Sequence, residues 1–428
     1  MKSKAHILII VVAALGYFVD IYDLVLFGVV KKESLDQIMA SSSPAERAAM
    51  GKFLFNMQMI GMLLGGVIWG ILGDKKGRLK VLFGSILLYS AANIINAFVS
   101  DIPTYTIVRI IAGIGLAGEL GAGITLVSEM MSKENRGYGT MIIVTFGALG
   151  AVVASLVGAK GESIGNFLES LSGFSFANWQ VAYIVGGLMG IALLLLRIGT
   201  IESGMFSTIK TEKHIRKGDF RLIFFHWGNF KKYMWCIFVG IPIWYVIGLL
   251  VMNSADDFAP LLGVKGISNG IAVMYAYIGL SVGDLISGLL SQLLRSRKKV
   301  VYLYLGMTLF LTVLFLFFSN GISSSTYYFY CFLLGTATGY WAIFVTIAAE
   351  QFGTNIRSTA ANTVPNFVRG SVSLIVPLFS ILVGASMGKD ISALVVGIIC
   401  LSLAFYGAWK LQETFAKDLD YVEDHHEI

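Results

Sequence analysis

The sequence is poor in charged residues, in proline and in cysteine. Of its 428 residues, only 14% are Asp, Glu, Lys or Arg, and there are 6 prolines and 3 cysteines. A soluble chain of this length normally carries about 25% charged residues, so this composition excludes an ordinary cytosolic protein. Cys236, Cys331 and Cys400 lie far apart within apolar segments, which gives neither a disulfide framework nor a metal-binding spacing.

The motifs of common enzymes are also missing. The sequence has no Gly-x-x-x-x-Gly-Lys-Ser/Thr loop for a nucleoside triphosphate. Gly113-Ile-Gly115-Leu-Ala-Gly118 has the spacing of a dinucleotide-binding fingerprint. It lies within an apolar segment with no preceding strand, so close packing of a membrane helix explains it better. We therefore expect no enzyme activity, no cofactor, no metal site and no nucleic-acid partner.

What the sequence has is long apolar segments, since 56% of its residues are hydrophobic. Segments of about 20 apolar residues match the thickness of a bilayer, so we predict an all-α membrane protein with twelve spans. The first segment lacks a small-residue cleavage site and is interpreted as a span, not as a signal peptide. The spans are placed near 7–30, 51–73, 81–99, 104–131, 138–160, 180–200, 233–254, 268–292, 298–319, 325–350, 358–386 and 389–411.

The basic residues predict the orientation. Most of the 32 Lys and Arg residues fall on the side that also carries both termini, including the strings at 75–80 and 295–299. By the positive-inside rule both termini are cytoplasmic, and we expect the cell inner (plasma) membrane. The basic segment 201–232 divides the chain into a six-helix bundle at 1–200 and a second bundle with a short cytoplasmic tail at 233–428.

The two halves resemble each other at a nearly constant offset. Gly61, Gly65 and Gly70 of span two match glycines 279, 283 and 288 of span eight, and Gly118 of span four matches Gly339 of span ten. Glu129 and Arg136 recur as Glu350 and Arg357 with the same spacing. An ordered set of matches indicates duplication. Two related six-helix halves suit alternating access, with the substrate bound near midplane between them.

Gly70-Ile-Leu-Gly-Asp74-Lys-Lys-Gly77-Arg78-Leu-Lys80 resembles the loop motif of the major facilitator superfamily. Further likeness lies in segments 109–119, 349–357 and 366–369 and in the tail at 413–420, and points to the sugar-porter and metabolite:proton symporter branch. The sequence lacks a proline beside Glu202 and the usual sugar-contacting Gln and Trp pattern, so a hexose is not favoured. The resemblance implies two pseudo-symmetric six-helix halves and secondary active transport by a monomer.

Four ionisable residues are predicted near the middle of the bilayer, where a charge is costly and marks function by default. At ~1.5 Å per residue, Asp20 lies ~20 Å, Glu119 ~18 Å, Arg369 ~17 Å and Asp284 ~12 Å from the cytoplasmic end of its span, around a midplane at ~15 Å. Asp23 is one turn further along the face of Asp20. Desolvation favours a protonated carboxyl group, so Asp20, Asp23 and Glu119 are candidates for proton coupling. The alternative is hydrogen bonding within the bundle.

Arg369 requires an anion at this depth, because its guanidinium group stays charged. That anion is either a substrate carboxylate or Asp284, and an exchange between the two would couple binding to rearrangement. Arg109 is expected ~33 Å from the cytoplasmic end, near the outer surface. It is either an interfacial anchor or a gating residue paired with an acid of span one.

Two further sets complete the candidates. Charge pairs at the cytoplasmic ends of spans can hold one conformation closed, which is the role expected of Asp74, Arg78, Glu129, Arg136, Glu350 and Arg357. Polar and aromatic residues at midspan are candidates to contact the substrate, with packing as the alternative for each; they are Tyr17, Asn56, Gln58, Trp244, Tyr340, Trp341 and Asn366.

The favoured function is therefore proton-coupled import of a small polar organic metabolite, such as a carboxylate or an amino acid. The alternative is a proton-coupled antiporter that exports a metabolite or drug. A third class is a sensor or scaffold that is built on the same fold and does not transport. A long appended domain would favour this class, but the tail after the last predicted span is short.

Overall fold

The computed structural model describes residues 2–132, 135–159, 161–202, 221–418, 421 and 423. Twelve helices in these ranges are long and apolar enough to cross a membrane, and no strand occurs there. The chain is an integral membrane protein of the predicted fold class. The helices of the spans are α1 (Lys2–Ile38), α2 (Pro44–Lys76), α3 (Arg78–Asn96), α4a (Ile102–Leu116), α4b (Glu119–Met130), α5 (Arg136–Ala159), α6 (Asn178–Glu202), α7 (Trp227–Trp244), α8 (Asn269–Leu293), α9 (Arg297–Phe317), α10a (Ser324–Ala337), α10b (Trp341–Glu350), α11a (Arg357–Gly370), α11b (Val372–Gly384) and α12 (Lys389–Lys410).

Several helices extend beyond the predicted apolar segments. Helix α2 begins at Pro44 because Ser43 and Glu46 form a reciprocal capping box at its first turn. Helix α7 begins at Trp227, where the side chain of His226 accepts the amide of Asn229. Polar caps can start a helix in the interfacial layer, ahead of the apolar residues from which a span is predicted.

Breaks at equivalent points of two spans support the internal repeat. The fourth and tenth spans are each interrupted, between α4a and α4b and between α10a and α10b. The matched residues Gly118 and Gly339 lie at these breaks. A Cβ atom on Gly339 would overlap the backbone of Gly283, and one on Gly118 would crowd Ser85. The matched glycines therefore permit close helix contacts at equivalent points of both halves.

The contact between the second and fourth spans also recurs in the second half. A Cβ atom on Gly61 would overlap the carbonyl oxygen of Ile110, and one on Gly279 would overlap that of Phe332. Close backbone approach in lipid requires such small residues. The repeat seen in the sequence thus corresponds to a repeated packing unit.

The most extensive contacts between the halves are those of α2 with α11a and of α5 with α8. We call the end of the molecule with residues 74–80, 135–136 and 411–418 the termini side, and the end with residues 31–51 and 253–269 the opposite side. On the termini side, a Cβ atom on Gly70 would crowd the backbone of Thr359, and one on Gly288 would overlap the side chain of Met141. The halves are therefore in close contact on the termini side.

Helix α7 departs from regular geometry towards the opposite side. It contains Pro242, and the residues that follow, Tyr245–Val251 and Ser254–Phe258, form π-helical turns. Proline removes one backbone hydrogen bond and bends a helix, and π-turns are often found at functional sites. The seventh span is thus irregular in the part that lies towards the opposite side.

Candidate functional site

A small cavity lies between the halves, where α1, α5, α7, α8, α10b and α11a meet. Its volume is about 20 Å³, which is room for roughly one water molecule. Its lining is mostly aromatic and aliphatic, with one cation: Tyr17, Ile21, Ala148, Ile243, Trp244, Ile247, Tyr277, Leu280, Trp341 and Arg369. Four of the predicted substrate-contacting residues, Tyr17, Trp244, Trp341 and Arg369, are brought together here.

Arg369 crosses this interface to reach the first half. Its Nη2 atom lies 3.4 Å from Oδ2 of Asp20 and 3.4 Å from the hydroxyl oxygen of Tyr17. Both charged side chains are buried, and the Trp341 ring lies 5.5 Å from the guanidinium carbon. Arg369 is in the last turn of α11a, where a cation is favoured by the helix dipole.

This ion pair leaves hydrogen-bonding capacity unused. Among the described residues, Oδ1 of Asp20 and Nε of Arg369 are buried without a hydrogen-bond partner. The separation of 3.4 Å is also longer than the 2.7–2.9 Å that is typical of a charge-assisted hydrogen bond. Arg369 can therefore accept a second anion, or exchange Asp20 for one, at the edge of the cavity.

The expected pair between Arg369 and Asp284 does not form, so that alternative was wrong. Oδ1 of Asp284 accepts the backbone amide of Ala342 at 2.8 Å, in the first turn of α10b. Its carboxylate thus caps the helix that restarts after the break in the tenth span, and the helix dipole favours a negative charge there. The depth of Asp284 in its span could not show whether it pairs with Arg369 or caps α10b.

Glu119 has a partner that sequence reasoning did not include among the site residues. Arg197 of α6 donates to Oε1 and Oε2 of Glu119 at 2.6 and 3.0 Å, and also to the carbonyl oxygens of Leu82 and Val12. The pair is buried inside the first half. The signal in the sequence was a lone arginine in the last apolar turns of the sixth span. Both oxygens of Glu119 are engaged by Arg197, unlike those of Asp20.

Asp23 and Arg109 face the interior of the first half. Neither carboxylate oxygen of Asp23 has a hydrogen-bond partner among the described residues, although the side chain is 2% exposed. Arg109 is fully buried; it donates to Gln58 and to the hydroxyl oxygen of Tyr183, and stacks on Phe27 at 4.6 Å. Of the two expectations for Arg109, the interfacial anchor is therefore wrong.

Four predicted substrate contacts lie outside the central cavity. Gln58 holds Arg109, and Tyr340 donates to the carbonyl oxygen of Val239 inside the second half. Asn366 donates to the carbonyl oxygens of Ala117 and Asn362, bridging the halves. Asn56 lines a different cavity towards the opposite side. The packing alternative therefore holds in this structure for Gln58, Tyr340 and Asn366, because each hydrogen-bonds to other residues of the protein.

On the termini side, Asp74 of the first half caps a helix of the second. Its carboxylate accepts the amides of Ser358 and Thr359 at 3.1 and 2.8 Å and the hydroxyl of Thr359 at 2.6 Å. Arg78 lies 3.6 Å from the same carboxylate. These contacts join the ends of α2 and α11a, and we call Asp74, Ser358 and Thr359 the cap latch.

A second contact between the halves on this side is electrostatic. Glu350 lies 3.7 Å from Arg136 of the first half and 3.4 Å from Arg297 of its own half. Arg357 donates to the carbonyl oxygen of Phe352. The side chain of Glu129 lies outside the described residues. The repeated Glu and Arg positions therefore interact across the halves, through Arg136 and Glu350, and Arg297 is an addition that the sequence did not indicate.

Comparisons with known proteins agree with this architecture. The family model of the Major Facilitator Superfamily matches residues 13–377. The chain is 25% identical to a putative niacin/nicotinamide transporter of Bacillus subtilis over 82% of its length and 83% of the relative. It is 26% identical to the 3-(3-hydroxy-phenyl)propionate transporter of Escherichia coli, with 76% and 75% covered. It is 23% identical to the benzoate transport protein of Acinetobacter baylyi, with 83% and 78% covered.

The fold is also similar to that of a solved transporter. A structure of the proton:xylose symporter bound to 6-bromo-6-deoxy-D-glucose superimposes with a TM-score of 0.75, at 19% identity, over 98% of both chains. At this identity the likeness concerns the fold alone.

Proposed function

The chain belongs to the major facilitator superfamily, and from that premise we propose that it imports a small aromatic carboxylate together with a proton, by alternating access. Members of this family are transporters and not enzymes, and the matched relatives move small organic metabolites. The substrate is a carboxylate, and Arg369 binds its negative charge. The carboxylates of α1 carry the coupled proton.

The observation that carries the proposal is the environment of Arg369. It is the cation of the central cavity, it is buried between the halves, and its Nε atom has no hydrogen-bond partner among the described residues. A planar guanidinium group binds a carboxylate through two parallel hydrogen bonds. A carboxylate that enters this cavity therefore meets a donor with the matching geometry.

The walls of the cavity favour a ring next to that carboxylate. Tyr17, Trp244, Tyr277 and Trp341 line it, and aromatic pairs gain roughly 0.5–1.5 kcal/mol beyond the burial of their surface. The names of the three relatives include niacin, 3-(3-hydroxy-phenyl)propionate and benzoate, each of which is an aromatic ring with one carboxyl group; nicotinamide, also in the name of the first relative, has the ring of niacin with an uncharged carboxamide. At about 20 Å³ the cavity is too small for such a molecule, so binding must move the halves apart.

Proton coupling follows from competition for Arg369. A substrate carboxylate that binds Arg369 displaces Asp20, its present partner at 3.4 Å. A buried charge that loses its partner costs about 3–5 kcal/mol. Protonation of Asp20 removes this cost, so the substrate and the proton bind together more favourably than either binds alone.

Asp23 is proposed to pass the proton to and from Asp20. It lies one turn along α1, is buried, and has no hydrogen-bond partner among the described residues. A carboxylate in such a setting is more readily neutralised than one held by an arginine. Glu119 is engaged by Arg197 through both oxygens, so we give it a structural role in place of the expected proton-carrying one.

The basic residues assign the termini side to the cytoplasm. The cap latch and the contact between Arg136 and Glu350 then form the cytoplasmic gate, which is closed in this conformation. Opening of this gate releases the substrate and the proton inside.

Uptake of radiolabelled benzoate into proteoliposomes tests the substrate class. We expect nicotinate and phenylpropionate to compete, while benzamide, which has the same ring without a charge, does not. Arg369→Gln should abolish uptake, and Arg295→Gln, which removes a charge from an exposed loop, should leave it intact. Equal competition by benzamide, or full uptake by Arg369→Gln, would overturn the assignment of Arg369.

A further inference from the structure

A second cavity lies between the halves, on the opposite side. Its volume is about 40 Å³, and α1 and α2 of the first half and α8, α11b and the π-helical part of the seventh span form its walls. Its charged lining residues are Lys31 and Lys52, and no acidic side chain among the described residues lines it.

This cavity and the central one lie along a single path. Ile247 lines the central cavity and the next residue, Gly248, lines the outer one. On α8, Tyr277 lines the central cavity and Val273, one turn away, lines the outer one. Likewise, Arg369 of α11a lines the central cavity and Val372, the first residue of α11b, lines the outer one. One helical turn is about 5.4 Å, so a small solute in the outer cavity is adjacent to the central one.

The two lysines are only loosely held by acids of the second half. Lys31 Nζ lies 3.8 Å from Asp256, and Lys52 Nζ lies 3.9 Å from Asp257. Both distances exceed the 2.7–2.9 Å expected of a charge-assisted hydrogen bond. Each acid has a closer partner in its own half, since Asn269 donates to Asp256 at 3.0 Å and Lys389 donates to Asp257 at 2.8 Å.

The backbone beside the lysines is suited to rearrangement. Gly248, Met252 and Asn253 lie in or beside the π-helical turns, and Asn253 donates to the carbonyl oxygens of Gly248 and Leu249. π-Turns store a local distortion that is often used at binding sites. Asp256 and Asp257 follow within the second of these turns, so movement of this segment separates the acids from the lysines.

We propose that this cavity, which must widen as the halves separate on this side, is an entry site in which Lys31 and Lys52 bind the carboxylate of the incoming substrate before it moves on to Arg369. The substrate carboxylate replaces Asp256 and Asp257 as the partner of the lysines, which loosens the contact between the halves on this side. The inference rests on the proposed function for the nature of the anion. The attraction of anions to the cavity does not depend on the proposed function, because it follows from the positive charges of the two lysines.

Thiol labelling at the cavity wall tests the site without relying on transport. Asn56→Cys places a reporter thiol at the cavity wall, and the three native cysteines are buried. In sealed vesicles, this cysteine is labelled with the impermeant anionic reagent sulfonatoethyl methanethiosulfonate and, separately, with its cationic trimethylammonium analogue. The ratio of the anionic to the cationic labelling rate should be roughly tenfold higher with both lysines present than in a Lys31→Gln/Lys52→Gln background. Lys265→Gln, which removes an exposed lysine on the same side, is the matched control.

Benzoate protection and uptake kinetics complete the test. Benzoate should slow labelling in an Arg369→Gln background too, because the entry site does not require Arg369. The double variant should raise the KM for benzoate uptake roughly tenfold at low salt, with kcat retained and the salt dependence of KM lost. A ratio of anionic to cationic labelling that the double variant leaves unchanged, or an unchanged KM and salt dependence, would overturn the entry site. A retained anion preference without benzoate protection or uptake would instead refute the substrate class proposed above.

Discussion

Removal of the carboxylate in the cap latch should open the termini side. Asp74 accepts three hydrogen bonds from α11a at 2.6–3.1 Å, and all three cross between the halves. When that side opens, the carboxylate and the helix end exchange these bonds for bonds to water. The net gain of each bond in the closed form is therefore about 1 kcal/mol, the value typical of folding equilibria.

The three bonds together stabilise the closed form by roughly 3 kcal/mol. Asp74→Ala should thus shift the equilibrium between closed and open forms by roughly a hundredfold. The contact between Glu350 and Arg136 remains in this variant, so the change is a redistribution between states and not a loss of the closed form.

Electron–electron distance measurements detect this shift directly. Spin labels at two exposed termini-side positions, Lys80 in the first half and Lys299 in the second, report the separation of the halves. We expect the longer-distance population to grow roughly a hundredfold relative to the shorter-distance one in Asp74→Ala. Glu46→Ala is the control, because it removes a carboxylate that caps a helix within a single half. An Asp74→Ala distance distribution identical to that of the unaltered protein would refute the role of the cap latch.

Two further predictions concern stability and the tail. Arg197→Ala leaves Glu119 buried without its partner and should destabilise the protein by about 3–5 kcal/mol, whereas Arg197→Met/Glu119→Leu should recover most of the loss. The temperature at which the buried cysteines become exposed measures this stability. An unchanged midpoint temperature in the single variant would contradict the prediction. Burial raises the pKa of Glu413, but the hydroxyl of Ser296 and backbone amides including that of Arg297 outweigh it and hold the pKa below its usual value. The tail contact should therefore be intact above the ordinary glutamate pKa of about 4.3 and weaken as the pH falls further, by roughly 1 kcal/mol or less for this solvent-accessible group. A spin label at the exposed residue Gln412 should become mobile over this range, and already at neutral pH in Glu413→Gln; a mobility independent of pH would contradict the assignment.

The architecture could be predicted from the sequence because its signals are local. Apolar segments of the length of a bilayer give the spans, and the matched residues Gly118 and Gly339 indicated the duplication, although not the breaks in the helices at which they lie. The family resemblance, carried by the motif at 70–80, is confirmed by the match over residues 13–377.

The pairing of charges could not be predicted in the same way, because depth along a helix does not give its rotation. Asp20, Asp284 and Arg369 were all expected near the midplane, yet Asp20 meets Arg369 while Asp284 caps α10b. Gln58 and Asn56 are two positions apart, which places them about 200° apart around α2. One therefore holds Arg109 inside the first half, while the other lines the outer cavity.

Proton movement into proteoliposomes, followed with an interior pH dye, tests the central claim most directly. Benzoate added outside should acidify the interior in the unaltered protein. In Asp20→Asn, the carboxamide cannot take up a proton when the substrate displaces it from Arg369, so exchange of labelled for unlabelled benzoate should persist while acidification disappears. Acidification by Asp20→Asn at the rate of the unaltered protein would contradict the account, because the coupled proton would then be carried elsewhere.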